Sequence, residues 1–106
     1  MKNKIVTTVC NYYEVTHLDL ILGGRQRKYT YPRFIIWYFL DKLNGNRDFN
    51  YERKFIILED MARIFALKNH ATVLHGIQTV YDMIETDKYF REEIKEIKEK
   101  IGTVGN

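Results

Sequence analysis

One cysteine and one proline are all that 106 residues contain of either type, and no long apolar run accompanies them. Cys10 has no second thiol to pair with, so no disulfide can close within the chain, and a reducing, cytoplasmic setting is expected. Its apolar neighbours suit a small buried residue better than a reactive thiol. No window approaches the roughly 18 apolar residues of a membrane span, and no membrane partner is expected. The opening "MKNKIVTTVCNYYEV" breaks its apolar run with threonines and Asn11, without the cleavage pattern of a signal peptide.

Chemical motifs are equally scarce. There is no nucleophile motif, no paired-carboxylate pattern and no Gly-rich phosphate loop. The glycines of "LGGRQ" are not followed by a Lys-Ser/Thr on a helix. A helical metal pair needs ligands at i and i+3 or i+4, whereas His70 and His75 are five apart, roughly 140° around a helix. His17 lies on a different element. No metal, no cofactor and no catalytic residue is expected, and nothing points to an enzyme.

What the chain does have is apolar and aromatic residues: 45% of it is hydrophobic and 14% aromatic. One compact domain with its own core is the expected product of that length and composition. The net charge of +3 hides an asymmetry. Residues 1–54 hold ten Lys/Arg against five Asp/Glu, residues 55–86 two against four, and residues 87–106 five of each. "RQRKYTYPR" (25–33) has four basic residues and no acid, which suits a polyanion and equally a short solvated loop.

Helical periods run through the chain, without convincing alternation of the kind that marks strands. Ile5, Val9 and Tyr12/Tyr13 predict a first helix over about 3–14. Thr16 with Asp19 resembles a capping box for "HLDLIL", which Gly23-Gly24 end. Pro32 is placed at the first turn of a central, mostly apolar helix, "PRFIIWYFLDKL". Residues 44–57 read as a polar connection with aromatics at Phe49 and Tyr51. "LEDMARIFA" (58–66) predicts a short helix, then a tight turn at Leu67-Lys68 and an N-cap at Asn69. The helix that follows puts Val73, Ile77, Val80, Tyr81 and Ile84 on one face. Thr86 is expected to cap a last helix, about 86–101, with Phe90, Ile94, Ile97 and Ile101 inward. The expected fold is all-α, about six helices in a single domain spanning 1–106.

Helix, tight turn and helix over about 58–84 is the layout of a helix-turn-helix, whose second helix offers its start to a major groove. An ordinary helical hairpin with a polar tip fits the same periodicity. Residue identity separates the two. "KNHATVLHGIQTVYDMIETDKYFREEI" resembles the signature of the C-terminal DNA-binding domain of the bacterial replication initiator DnaA, in which Arg-Asp-His-Thr-Thr-Val-Leu-His opens the recognition helix. "TVCNYYEVTHLDLILGGRQRK" is similar to that family's opening helix, Tyr-Tyr pair and basic loop, and "YPRFIIWYF" to its Pro-Arg helix. The resemblance spans about residues 4–100, with three motifs in order, and implies a Trp-repressor-like helical fold.

It also implies roles. Arg25, with Arg27 two residues on, takes the place of a minor-groove arginine. Arg33 corresponds to a backbone-contacting arginine. Asn69, His70 and Ala71 stand where the family reads bases, and Lys68 and Thr72 where phosphate contacts are expected. The departures are specific. Asn69 replaces an acid, and an amide pairs more naturally with adenine. Ala71 loses a hydroxyl, Phe34 replaces a usually polar residue, and Ala66-Leu67 replace a glycine pair. About ten extra residues fall within 44–57. The family's ATPase module has no counterpart here, so a free-standing domain is expected, without ATP binding. The expected partner is double-stranded DNA, with a DnaA-box-like sequence as the starting guess and a replication-related or regulatory role in a bacterium, phage or mobile element. A second expectation is a protein-interaction module that kept the fold and uses the segment around Phe49 and Tyr51 to bind a replication or regulatory partner.

Overall fold

The computed structural model describes residues 2–43, 58–67 and 69–102, which form six helices and no strand. The connection expected over 44–57, its aromatics, and Lys68 lie outside the described residues. In α1 (Lys2–Tyr12), Ile5, Val6, Val9 and Cys10 are buried, a stripe two residues wide. Cys10 is inside, as expected, and burial pushes its thiol pKa up. α1 ends earlier than its sequence pattern suggests. The Glu14 backbone turns left-handed (φ 57°), Val15 N–H donates to Cys10 C=O and Glu14 N–H to Asn11 C=O, a Schellman closure.

α2 (His17–Leu22) starts with the expected capping box. Asp19 N–H donates to Thr16 Oγ1 (3.0 Å) and Thr16 N–H to Asp19 Oδ2 (2.9 Å). Gly24, with φ 75°, supplies the left-handed conformation at the far end.

α3 (Arg27–Leu43) corrects one expectation: Pro32 is inside the helix, in its second turn, rather than in its first. Helical hydrogen bonding begins at Gln26, whose carbonyl accepts from Tyr29 and Thr30. The proline costs one intrahelical bond, and Pro32 is fully buried in return. Residues 32 and 33 and then Ile35 to Leu40 are buried, so α3 is the central helix. It packs against α1, α2 and the helix over His70–Thr86.

Residues 58–63 form α4, which buries Leu58, Met61 and Ala62, with Phe65 beyond its end. α5 (His70–Thr86) buries Val73, Gly76, Ile77 and Val80. α6 (Lys88–Ile101) buries Phe90, Ile94, Ile97 and Ile101, the four residues its period singled out. Its cap, however, is Asp87 rather than Thr86. The Asp87 carboxylate accepts from Tyr89 and Phe90 N–H (2.9 and 3.1 Å), while the Thr86 hydroxyl donates back to Asp82 C=O (2.9 Å) within α5. Both residue types cap helices, but the carboxylate also gains from the positive end of the helix dipole. Arg91 then donates to the carbonyls of Ile84 and Glu85, closing the end of α5. α1 meets α6 through the tyrosine pair: Tyr12 donates to Glu96 (3.2 Å), and Tyr13 packs edge-on against Tyr12. No described helix is long and apolar enough to cross a membrane.

Candidate nucleic-acid interface

The turn between α4 and α5 is held by donors to the carbonyls of Met61, Ala62, Arg63 and Ile64. Leu67 N–H donates to Ala62 C=O (3.0 Å) and Ala66 N–H to Arg63 C=O (3.0 Å), a second Schellman closure. Ala66 takes the left-handed position, with φ 58°, where glycine would be unstrained. Two bonds come from far along the chain. Trp37 Nε1–H donates to Met61 C=O (2.8 Å), and His17 Nε2–H donates to Ile64 C=O (2.6 Å). The His17 ring also meets Phe65 edge-on, with centroids 5.7 Å apart. The expected tight turn at Leu67-Lys68 therefore starts earlier, at Ile64, because the Schellman closure consumes Ile64 to Leu67.

Past the turn, Asn69 caps α5 as its sequence position suggests. Its backbone is extended (φ −101°, ψ 112°), and Oδ1 accepts from Ala71 N–H (2.8 Å). Asn69, Ala71 and Thr72 are exposed and His70 is half-buried. The first turn of α5 therefore presents small and hydrogen-bonding groups to solvent. An N-terminal turn of this kind also carries a partial positive charge, which suits a polyanion.

The floor under α5 is aromatic. Phe34 stacks on Trp37 (6.0 Å between centroids, planes 27° apart), and the His75 ring meets Phe34 edge-on (5.9 Å, 90°). Gly76 lets the two helices approach this closely. A Cβ there would lie 2.5 Å from Phe34 Cδ1 and 2.9 Å from Trp37 Cε3. His75 thus supports the helix against α3, and Phe34, polar in the resembling family, is what it leans on.

The basic stretch divides into parts with different environments. Arg25 and Gln26 lie in the connection between α2 and α3, and Arg27 opens α3; all three are exposed. Arg27 lies over the Tyr31 ring (5.5 Å) and Lys28 over Tyr29 (5.0 Å), which orients both cations. Arg33 is different. It was expected at a phosphate, yet it is buried, donating Nε–H to Leu20 C=O (2.7 Å) and Nη1–H to Gly24 C=O (2.8 Å). Burial lowers its pKa from the ordinary arginine value. Its two bonds tie the end of α2 and the start of the basic connection to α3.

Three residues with structural duties here escaped the reading of the sequence. Gly76 carried a signal, a glycine inside an apolar helical period. His17 and Trp37 carried none, since their acceptors are 47 and 24 residues away.

The family described as bacterial DnaA protein helix-turn-helix matches over residues 2–80. Chromosomal replication initiator protein DnaA of Wolbachia pipientis is 30% identical over 95 residues, covering 90% of this chain and 18% of that protein. The proteins of the same name from Oenococcus oeni and Thermomicrobium roseum are 27% and 24% identical, covering 94% and 92% of this chain. The chain spans about a fifth of the length of these relatives (18%, 21% and 19%).

Proposed function

The chain belongs to the bacterial DnaA helix-turn-helix family, and from that premise we propose that it binds double-stranded DNA with a sequence preference, α5 entering the major groove and Arg25 the minor groove. The observation that carries this is the first turn of α5: an Asn69-capped, exposed helix start held by a turn whose carbonyls are bonded to Trp37 and His17. Such a start can approach base edges closely, and its backing fixes the angle of approach.

On this reading the roles divide. Asn69, His70 and Ala71 face base edges, and Thr72 and Lys68 meet phosphates. Arg25 reads the narrow groove by charge and shape, with Arg27 adding to the field. Arg33 works through the backbone of Gly24, holding the connection that carries Arg25. The role is replication-related or regulatory, and a DnaA-box-like sequence is the first target to try.

The test is selection from random duplex DNA, followed by anisotropy titration of the enriched duplex at two salt concentrations. The expected result is an enriched motif, affinity that falls steeply as salt rises, and loss of sequence preference in His70→Ala. Arg25→Ala should weaken binding and make the salt dependence shallower by about one unit of log–log slope. Absence of any enriched motif, with His70→Ala indistinguishable from the parent, would overturn this function.

A further inference from the structure

α2 is a small element with little apolar surface to hold it. Six residues are too few to persist as an isolated helix, and Leu20 is the one buried side chain among them, while Leu18 and Leu22 are exposed. Its placement therefore depends on polar bonds near its two ends. At the start, His17 donates Nε2–H to Ile64 C=O (2.6 Å), in the turn that leads to α5, and its ring meets Phe65 edge-on. At the far end, Arg33 donates to Leu20 C=O (2.7 Å) and Gly24 C=O (2.8 Å), and Gly24 directly precedes Arg25. Between them Gly23 is packed against the Tyr29 ring, where a Cβ would lie 2.5 Å from Cγ. One short helix, about 9 Å long at 1.5 Å per residue, is thus fastened to the turn before α5 at one end and to the basic connection at the other.

Resting on the reading in which α5 enters the major groove and Arg25 the minor groove, we propose that α2 is a strut that fixes the register between these two contacts, and that His17 is the positioning residue that fastens it to the helix-turn-helix. His17 itself need not touch DNA; it acts through Ile64 C=O. With the strut fastened, the two reading elements are held at one separation before DNA arrives. A duplex whose two segments match that separation engages both without further ordering cost. A duplex whose segments are out of register gains nothing from the strut, because one element alone can engage it.

His17 is exposed, so this end of the strut can be changed without opening the core. Two substitutions separate the bond from the ring. His17→Phe keeps a ring against Phe65 and has no donor, whereas His17→Gln keeps an N–H donor and has no ring. The experiment starts from the motif selected by the parent. Base substitutions whose effect disappears in Arg25→Ala mark the minor-groove segment, and those whose effect disappears in His70→Ala mark the major-groove segment. One base pair is then inserted between the two, and anisotropy titration compares the matched and shifted duplexes. Urea midpoints confirm that each variant is folded.

The parent should bind the shifted duplex about tenfold more weakly than the matched one. His17→Phe should lose about fivefold on the matched duplex and nothing on the shifted one, and His17→Gln should restore the parent's discrimination. In an Arg25→Ala background the loss caused by His17→Phe should vanish, since a single reading element has no register to keep. Equal losses on both duplexes would show that His17 supports the helix-turn-helix alone, and would overturn the strut while leaving DNA reading intact. So would a His17→Phe protein that binds both duplexes as the parent does. A parent that enriches no motif, or that is indifferent to the inserted base pair, would overturn two-groove reading, and the strut with it.

Discussion

Ala66 sits in a conformation that its own methyl group resists. At φ 58° an L residue other than glycine brings Cβ against its carbonyl, at a cost of about 1–2 kcal/mol. Glycine removes that clash but gives back some free energy through a more flexible unfolded chain. Ala66→Gly should therefore stabilise the protein by about 1 kcal/mol, read as a higher urea midpoint with an unchanged slope. A lower midpoint would mean that the methyl makes a contact worth more than the strain. Gly76 is the reverse case. On helix propensity alone, alanine would gain about 1 kcal/mol there. The Phe34 and Trp37 ring atoms at 2.5 and 2.9 Å from the new methyl outweigh it, because both rings are themselves packed. Overpacking of this kind costs about 1–3 kcal/mol. Gly76→Ala should lower the urea midpoint, and a rise of the size propensity predicts would show that α5 can slide off α3 at no cost. Neither sign can be read from residue type, since one depends on a dihedral angle and the other on a helix crossing.

The described part of α4, 58–63, is too short to persist as an isolated helix, so its placement depends on what its end is tied to. Trp37 is fully buried and donates to Met61 C=O at 2.8 Å. Trp37→Phe leaves that carbonyl without its donor and a gap where the second ring lay. The expected loss is about 2–4 kcal/mol by urea unfolding. Where the variant is still folded, the Ala66 and Leu67 amides should exchange faster than those of α6, because the damage is local to the turn. Uniform acceleration across both regions would show that the indole supports the core without a special claim on the turn. Local determinants explain which elements the sequence revealed. The Thr16–Asp19 capping box, the Asn69 cap and the inward face of α6 all involve residues within a few positions of one another, and each occurs as expected. The start of α3 was misplaced because Pro32 favours a first turn in general. Here the helix extends one turn further back, and Arg33 reaches the carbonyls of Leu20 and Gly24. Thr86 and Asp87 are both good caps side by side; the bond of Thr86 to Asp82 C=O and the charge of the Asp87 carboxylate at the helix start decide between them.

The candidate interface was legible where it is a continuous string, Asn69 to Thr72, and illegible where the fold assembles it from distant parts. Arg33 looked like its exposed neighbours in the basic stretch because charge patterning says nothing about which cation the core will claim. The same burial that claims it acts on acidic groups of the core. Desolvation raises the pKa of Tyr13, helped by the charge of Glu93, and raises that of Tyr38. Burial raises Cys10 as well. The unfolded chain releases these protons near the ordinary values of 10.0 for tyrosine and 9.0 for cysteine, whereas the folded protein holds them to higher pH. The folded state therefore binds more protons than the unfolded state above about pH 9, and stability must fall as pH rises through that range. Below pH 9 the three groups are protonated in both states and contribute no slope. The Tyr13 hydroxyl makes no hydrogen bond of ordinary geometry, although the Glu93 carboxylate lies near enough to raise its pKa, so Tyr13→Phe removes the titration at little structural cost. Urea midpoints at pH 8 and pH 11 should differ less in Tyr13→Phe than in the parent, with little difference between the two proteins at pH 8. An equal alkaline drop in both would place the linkage on the other groups with raised pKa, Tyr12, Tyr38 and Cys10, instead. A larger drop in the variant would contradict the direction of the Tyr13 shift itself.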